Sequence, residues 1–242
     1  MSAPVAAVTF DFWNTIARVP NEAMTELRQR AVAGACADCG VEIEAERLAA
    51  ILAEVSRSYE SSWRAGTHFH PRDGAAILTA ALGAEGEAGE LVAEAFLGAG
   101  RDADLELSPQ IAATLAALEE RGVRIGIVCD VGFTGGELLR GFLEREEVLG
   151  HFSGWAFSDE VGHYKPAAPI FEAALASLDA TPGEAMHVGD LRRTDIAGAA
   201  ALGMRTARYR ALHDDPGADG EPEAEFVLDS HAELPGLLDR LG

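Results

Sequence analysis

Four short apolar runs in this chain lead to residues that carry charge or bind ligands. Val5–Phe10 runs into Asp11, and Val123–Val128 runs into Cys129 and Asp130. Lys165-Pro166 follows the run at Trp155–Phe157. Ala185–Val188 leads into Gly189-Asp190, with Asp195 five residues further on. If each run is a parallel strand, these residues stand at strand carboxyl ends, where open α/β sheets collect their ligands. Each Asp taken singly reads as a helix cap or turn former. Taken jointly, the carboxylates and one ammonium can converge on a single point where charge is handled. Lys165 adds weight: of 19 basic residues it is the only lysine, the other 18 being arginine. A strand end has kept a compact, mobile ammonium where a planar guanidinium would be this chain's habit.

Composition bounds what such a site receives. The 242 residues are 48% hydrophobic, enough for a large domain or for a core with a smaller insert. A formal net charge of −21 repels phosphate backbones, so nucleic acid is not an expected partner. An anionic small molecule would need local positive charge, from a metal ion or from a few placed basic groups. No run approaches the ~20 uncharged apolar residues that span a bilayer. The N-terminus has no basic start of a signal peptide, and three cysteines suit no disulfide framework. The expectation is a cytoplasmic protein with no membrane contact; its oligomeric state is not legible.

The elements that would position the strand-end residues follow from periodicity. From about Asn21, a plausible N-cap, to Gly100 the chain reads as helices. Leu27, Ala31, Ala35 and Cys39 fall on one face of the first, and Leu48, Leu52 and Val55 form the stripe of a second over Ala45–Trp63. Shorter helices follow near Asp73–Leu82 and Glu87–Leu97. From Ser108 onward the pattern alternates. Ser108-Pro109 reads as an N-cap with Pro at the first helical position. Strand-like runs then alternate with helices at about Gly136–Glu144, Pro169–Leu178 and Thr194–Leu202, and Arg205–Tyr209 and Phe226–Leu228 are further strands. Repeated units of this kind predict a parallel sheet covered on both faces. The stretch His213–Glu225, rich in Asp, Glu, Gly and Pro, reads as a solvated loop. The predicted organisation is a discontinuous α/β core, residues 1–17 and 103–242, with a helical insert over 18–102.

These residues together resemble the four signature motifs of the haloacid dehalogenase superfamily, in order and spacing, over nearly the whole chain. Phe10-Asp11-Phe12-Trp13-Asn14-Thr15 is similar to the first motif and Ile127-Val128-Cys129-Asp130 to the second. Tyr164-Lys165-Pro166 through Phe171 is similar to the third, and His187-Val188-Gly189-Asp190 with Asp195 to the fourth. The resemblance implies a doubly wound, Rossmann-like parallel sheet with an inserted α-helical cap. It implies Asp11 as nucleophile. Asp11, Asp190 and the backbone carbonyl of Trp13 would hold Mg²⁺, an ion that prefers oxygen. Lys165 would neutralise Asp11 and the transferring group, and Asp195 would orient Lys165 or a metal-bound water. Arg192 and Arg193 either add positive charge or are solvated.

Two positions depart from the family's phosphatases. The second Asp that protonates the leaving group is replaced by Trp13, which transfers no proton. The family's dehalogenases also have an aromatic residue there. Cys129 stands where a Ser or Thr would donate to a phosphoryl oxygen, and a thiol donates weakly. Gly189-Asp190 and Asp195, by contrast, resemble the metal-binding phosphatases. Trp13 and Asp130, with Arg64 and His68 from the turn Trp63–Pro71, are the candidate substrate contacts. His68, His70, Arg64 and His163 are candidate replacements for the missing acid. His187 reads as a satisfied core histidine, and Cys36 and Cys39 as buried helical cysteines. The expected activity is Mg²⁺-dependent hydrolysis of a small phosphate ester. The alternatives are a 2-haloacid dehalogenase forming an aspartyl ester, and a catalytically impaired binding protein.

Overall fold

A computed structural model of the protein describes residues 4–19 and 21–242, with the side chains of all but residues 21–23. The chain opens with strands β1 (Ala7–Phe10) and β2 (Ala17–Arg18). Helices α1 (Asn21–Asp38), α2 (Ala45–Ala65), α3 (Pro71–Leu82) and α4 (Gly86–Gly98) follow. Then come β3 (Glu106–Leu107), α5 (Ile111–Glu120), β4 (Arg124–Cys129), α6 (Gly136–Arg145), β5 (Gly154–Phe157), α7 (Ser158–Val161) and α8 (Ala168–Ser177). The chain closes with β6 (Ala185–Gly189), α9 (Ala197–Ala201), β7 (Arg205–Tyr209), β8 (Phe226–Leu228) and α10 (Leu234–Leu241).

Six strands form one parallel sheet in the order β5-β4-β1-β6-β7-β8. This is the predicted doubly wound architecture, and its strands read as continuous apolar runs because both faces are covered. The fully buried pattern of β1 and β6 shows this directly. The chain leaves β1 toward β4 on one side and later returns to β6 on the other, so β1 lies at the topological switch point. Phe10 is level with Ile127 of β4 and Val188 of β6. The residues that follow these three strands therefore emerge side by side.

The chain divides into two compact units. One holds the residues up to Arg18, Leu105–Asp130 and Leu143–Gly242; the other holds Val19–Asp104 and Val131–Phe142. In the helical unit Val32, Ala35, Cys36, Leu48, Ile51, Leu52, Val55 and Phe96 are buried together. The stripe of α2 is as its sequence predicts. That of α1 is rotated: Val32, Ala35 and Cys36 are buried, whereas Leu27, Ala31 and Cys39 are only half-buried. Cys36 and Cys39 are free thiols, and Cys39 Sγ donates to the Cys36 carbonyl at 3.5 Å. Phe133 joins this unit through rings of Tyr59 and Phe96, each 5.2 Å away between centroids. The α1 helix begins at Asn21 itself, and the expected capping role of that side chain lies outside the described residues. Among the described residues no helix is long and apolar enough to cross a membrane.

Two sequence expectations fail for physical reasons in the sheet unit. Ser108 does not cap α5, which starts at Ile111 after Gln110 at φ 67°. Its hydroxyl donates instead to the Thr15 carbonyl at 2.5 Å, and its N–H to the Ile16 carbonyl at 2.8 Å. The stretch His213–Glu225 is irregular but not freely solvated, because arginines on β7 and beside β6 hold it. Buried Arg208 grips Glu223 through Nε (2.8 Å) and Asp214 through Nη1 (2.7 Å). Arg192 reaches Glu223 at 2.7 Å, and Arg205 pairs with Glu225.

His231, fully buried beneath the start of α10, donates from Nε2 to the same Thr15 carbonyl at 2.9 Å and stacks on Tyr209 at 3.9 Å. Burial lowers its pKa to about 4. A histidine with a depressed folded-state pKa stabilises the fold above its unfolded pKa of about 6.5, and that stability is lost as pH falls toward 4. His231→Leu should destabilise the protein at pH 7. The gap to wild type should then close by up to about 3 kcal/mol between pH 6.5 and 4. Thermal melts of both proteins across that window check it; a gap independent of pH would contradict the assignment.

Candidate active site

Asp11 leaves β1 with its N–H still paired to the Val188 carbonyl at 2.8 Å, so the sheet fixes its backbone. The chain then folds back at once. Asn14 adopts φ 57°, and the N–H groups of Ile16 and Ala17 converge on the Phe12 carbonyl at 2.9 and 3.0 Å. With Thr15 clamped by Ser108 and His231, the loop after the strand is rigid. Asp11 is 5% exposed and Lys165 3%.

Lys165 Nζ donates to Asp11 Oδ1, and to Asp195 Oδ1 at 2.7 Å. Its backbone N–H donates to Asp130 Oδ1 at 3.0 Å, so the carboxylate after β4 positions the lysine after α7. Asp195 is saturated. Oδ1 accepts from Lys165 and lies 3.1 Å from His187 Nε2; Oδ2 accepts from the Leu191 N–H (3.0 Å) and the Thr194 hydroxyl (3.4 Å). Of the two roles that the sequence leaves open for Asp195, this geometry serves the orientation of Lys165. His187 faces the carboxylate with Nε2, which must therefore carry the proton, and Nδ1 accepts from the Thr9 hydroxyl at 2.9 Å. The ring is satisfied, as expected of a core histidine, but its partner belongs to the site.

Asp195 reaches this point because the chain after Asp190 makes a wide helical turn, in which the Ile196 N–H bonds the Leu191 carbonyl five residues back at 3.2 Å. Glycine is required on both sides of the approach. A Cβ on Gly189 would lie 2.4 Å from Asp195 Cγ. One on Gly198 would lie 2.5 Å from the Phe171 ring and 2.9 Å from Pro166 Cα.

Burial raises the pKa of Asp11, opposed by Lys165 and reinforced by Asp195 and Asp190. Burial likewise raises that of Asp190, opposed by a hydrogen bond from His213, whose Nδ1 lies 2.8 Å from Oδ2. Burial would raise Asp195 too, but Lys165 and His187 outweigh it and hold its pKa low. Lys165 is held charged against burial by Asp11 and Asp195. Three buried carboxylates thus share one buried ammonium. Both Asp11 and Asp190 offer oxygen to a hard cation, and the Trp13 carbonyl receives no hydrogen bond among the described residues. No group of three or more His, Cys, Asp or Glu side chains there has metal-site spacing. Two carboxylates completed by carbonyl, water or substrate oxygens is how Mg²⁺ is commonly held, so the residues fit that ion.

The other candidates are placed as follows. Cys129 ends β4, fully buried, and burial, with Asp11 next, raises its thiol pKa well above the usual range, so it is a neutral thiol. Trp13 is half-buried, edge-on to Phe12 with centroids 5.0 Å apart. Arg64 and His68 belong to the helical unit, Arg64 exposed in the last turn of α2 and His68 half-buried. His70 caps α3, its Nδ1 accepting from the Arg72 N–H at 3.0 Å. His163 is exposed. Arg192 is committed to Glu223, and its N–H to Asp215 at 2.8 Å. Sequence reasoning missed His213 and the clamps from Ser108 and His231. The matching of arginines near β6 and β7 to the acids of 214–225 was the available signal.

The profile of the haloacid dehalogenase-like hydrolases matches residues 5–203. The chain belongs to this family. A glyceraldehyde 3-phosphate phosphatase of Methanopyrus kandleri is 31% identical over 239 residues, covering 95% of each protein. A ribulose-1,5-bisphosphate 5-phosphatase of Halopiger xanaduensis is 31% identical over 141 residues, 56% of this chain and 58% of that protein. A 2-haloacid dehalogenase from Pseudomonas syringae has the same fold, with a TM-score of 0.73 at 22% identity over 98% of this chain and 100% of that one. The protein is a haloacid dehalogenase-like hydrolase.

A planar guanidinium cannot serve both Asp11 and Asp195 from the position of an ammonium held against two carboxylates at 3% exposure. Lys165→Arg should therefore lose about 10²-fold or more in turnover while keeping the charge. Steady-state rates on folded variant protein check it; wild-type rates would show the lysine to be incidental.

Proposed function

We propose that this hydrolase is a Mg²⁺-dependent phosphatase that acts on a small phosphate ester through an aspartyl-phosphate at Asp11. The observation that carries the reading is Lys165 held between Asp11 and Asp195 beside buried Asp190, a set that is all oxygen apart from one ammonium. Phosphatase names among the sequence relatives agree with it. An Asp11 carboxylate oxygen attacks phosphorus, the ester oxygen departs with its electron pair, and the phosphoryl group remains on Asp11. Water then attacks that phosphorus and releases phosphate, regenerating the carboxylate. Lys165 opposes the rise that burial imposes on the Asp11 pKa and offsets charge on the phosphoryl oxygens. Asp195, anchored by four donors, fixes Lys165. Asp11, Asp190 and the Trp13 carbonyl are the assigned Mg²⁺ ligands, and the ion when bound would neutralise the excess carboxylate charge and the phosphoryl oxygens. Cys129 and Asp130 border the strand ends, and Arg64 and His68 are the assigned substrate contacts of the helical unit. Free thiols at Cys36, Cys39 and Cys129 agree with a cytoplasmic setting.

Trp13 favours the dehalogenase reading at one point, since halide leaves without a proton. For a phosphatase it means that the leaving group departs unassisted by that side chain. General acid help is worth roughly 10²–10⁴-fold. The wild-type enzyme should therefore prefer aryl phosphates to alkyl phosphates and lose activity on chelation. Trp13→Asp should raise the alkyl-to-aryl rate ratio by about tenfold or more, less than the full effect of a native acid. Rates on both ester classes and on a 2-haloacid, with and without Mg²⁺, test this. Full-rate dehalogenation by chelated enzyme would overturn the phosphatase assignment. An unchanged ratio in folded variant would show that Trp13 does not mark a missing acid.

A further inference from the structure

Asp190 is 2% exposed, and one of its oxygens is already spoken for. His213 Nδ1 lies 2.8 Å from Asp190 Oδ2, although the two residues are 23 positions apart and His213 stands on an irregular loop. The histidine is not there by chance contact. The loop that follows it is tied down by the buried Arg208, which pairs with Asp214 immediately beside His213 and again with Glu223. Arg192, two residues after Asp190, holds the loop's other strand through Glu223, and its N–H holds Asp215. Gly217 packs closely on this arginine: a Cβ there would meet Arg192 Cδ at 2.6 Å. Three ionic ties and a backbone hydrogen bond thus flank the point at which His213 meets Asp190. An ordinary surface loop has no need of a buried guanidinium at its root.

Building on the phosphatase reading, we propose that His213 is a positioning residue for the cation site: it holds Asp190 Oδ2 so that Oδ1 is presented to the ion. A carboxylate free to rotate offers a cation two geometries and loses entropy on binding. One fixed by a partner on its far oxygen is preorganised. Such partners of metal-binding carboxylates typically contribute 10–100-fold in metal affinity. Asp190 has this need because its neighbours cannot meet it. Lys165 is committed to Asp11 and Asp195, and Asp195 is committed to Lys165, His187, Leu191 and Thr194.

The test is Mg²⁺ titration of the 242-residue protein by calorimetry, with no substrate present. His213→Ala should weaken Mg²⁺ binding about 10- to 100-fold. His213→Asn, which places an amide N–H where Nδ1 stands, should recover most of that loss. A merely structural role for His213 would not follow the N–H in this way. Thermal melts of both variants confirm folding, and Asp190→Ala is the control for the site itself. If wild type binds Mg²⁺, Asp190→Ala does not, and His213→Ala binds as wild type does, the proposal is overturned while the metal-dependent reading stands. If Asp190→Ala binds as well as wild type, the metal assignment falls and His213 falls with it. If both His213 variants lose affinity equally, the amide rescue fails and positioning through Nδ1 is rejected.

Discussion

A carboxylate removed from water costs several kcal/mol unless a cation answers it, and this sheet buries Asp11, Asp190 and Asp195 around the ends of two neighbouring strands. Lys165 answers two of them. Much of the local structure follows from that need. Asp130 fixes the lysine's backbone, His187 and the turn after Asp190 fix Asp195, and Gly189 and Gly198 leave room for the parts to meet. The lysine is held charged in spite of burial by Asp11 and Asp195. Asp11 is the carboxylate left least well compensated. On the proposed reading Asp11 is the nucleophile, and a divalent ion would complete the charge balance.

Rigidity around that centre comes from long-range ties of modest individual worth. Ser108 and His231, from the segment before α5 and the start of α10, both bond the Thr15 carbonyl. They hold the loop after β1 from positions 93 and 216 residues further along the chain. Four arginines beside β6 and β7 fasten the acidic stretch and Asp229 in the same manner.

The strand-end residues were legible because a parallel sheet has one rule for where chemistry sits, and the apolar run Val5–Phe10 leading into Asp11 announces it. The helical stripe of α2 was legible from its period. What could not be read were choices between partners. Ser108 looks like a helix cap by its neighbours, yet the carbonyl it serves lies 93 residues away. His187 reads as core, and it is core, but its Nε2 faces the carboxylate that orients the lysine. His213 sits in a composition that signals solvent, and only the placement of Arg208 shows otherwise. Periodicity reports burial along one element, whereas these bonds depend on which elements become neighbours.

The central claim is that Asp11 carries the phosphoryl group. Rapid acid quench during turnover of a phosphorus-labelled ester, followed by mass spectrometry of the Asp11 peptide, measures it directly. The account predicts the phosphoryl group on the Asp11 side chain, released by hydroxylamine as an acyl phosphate should be, and no label in Asp11→Asn. Label on another residue, or turnover with Asp11 never modified, would contradict it.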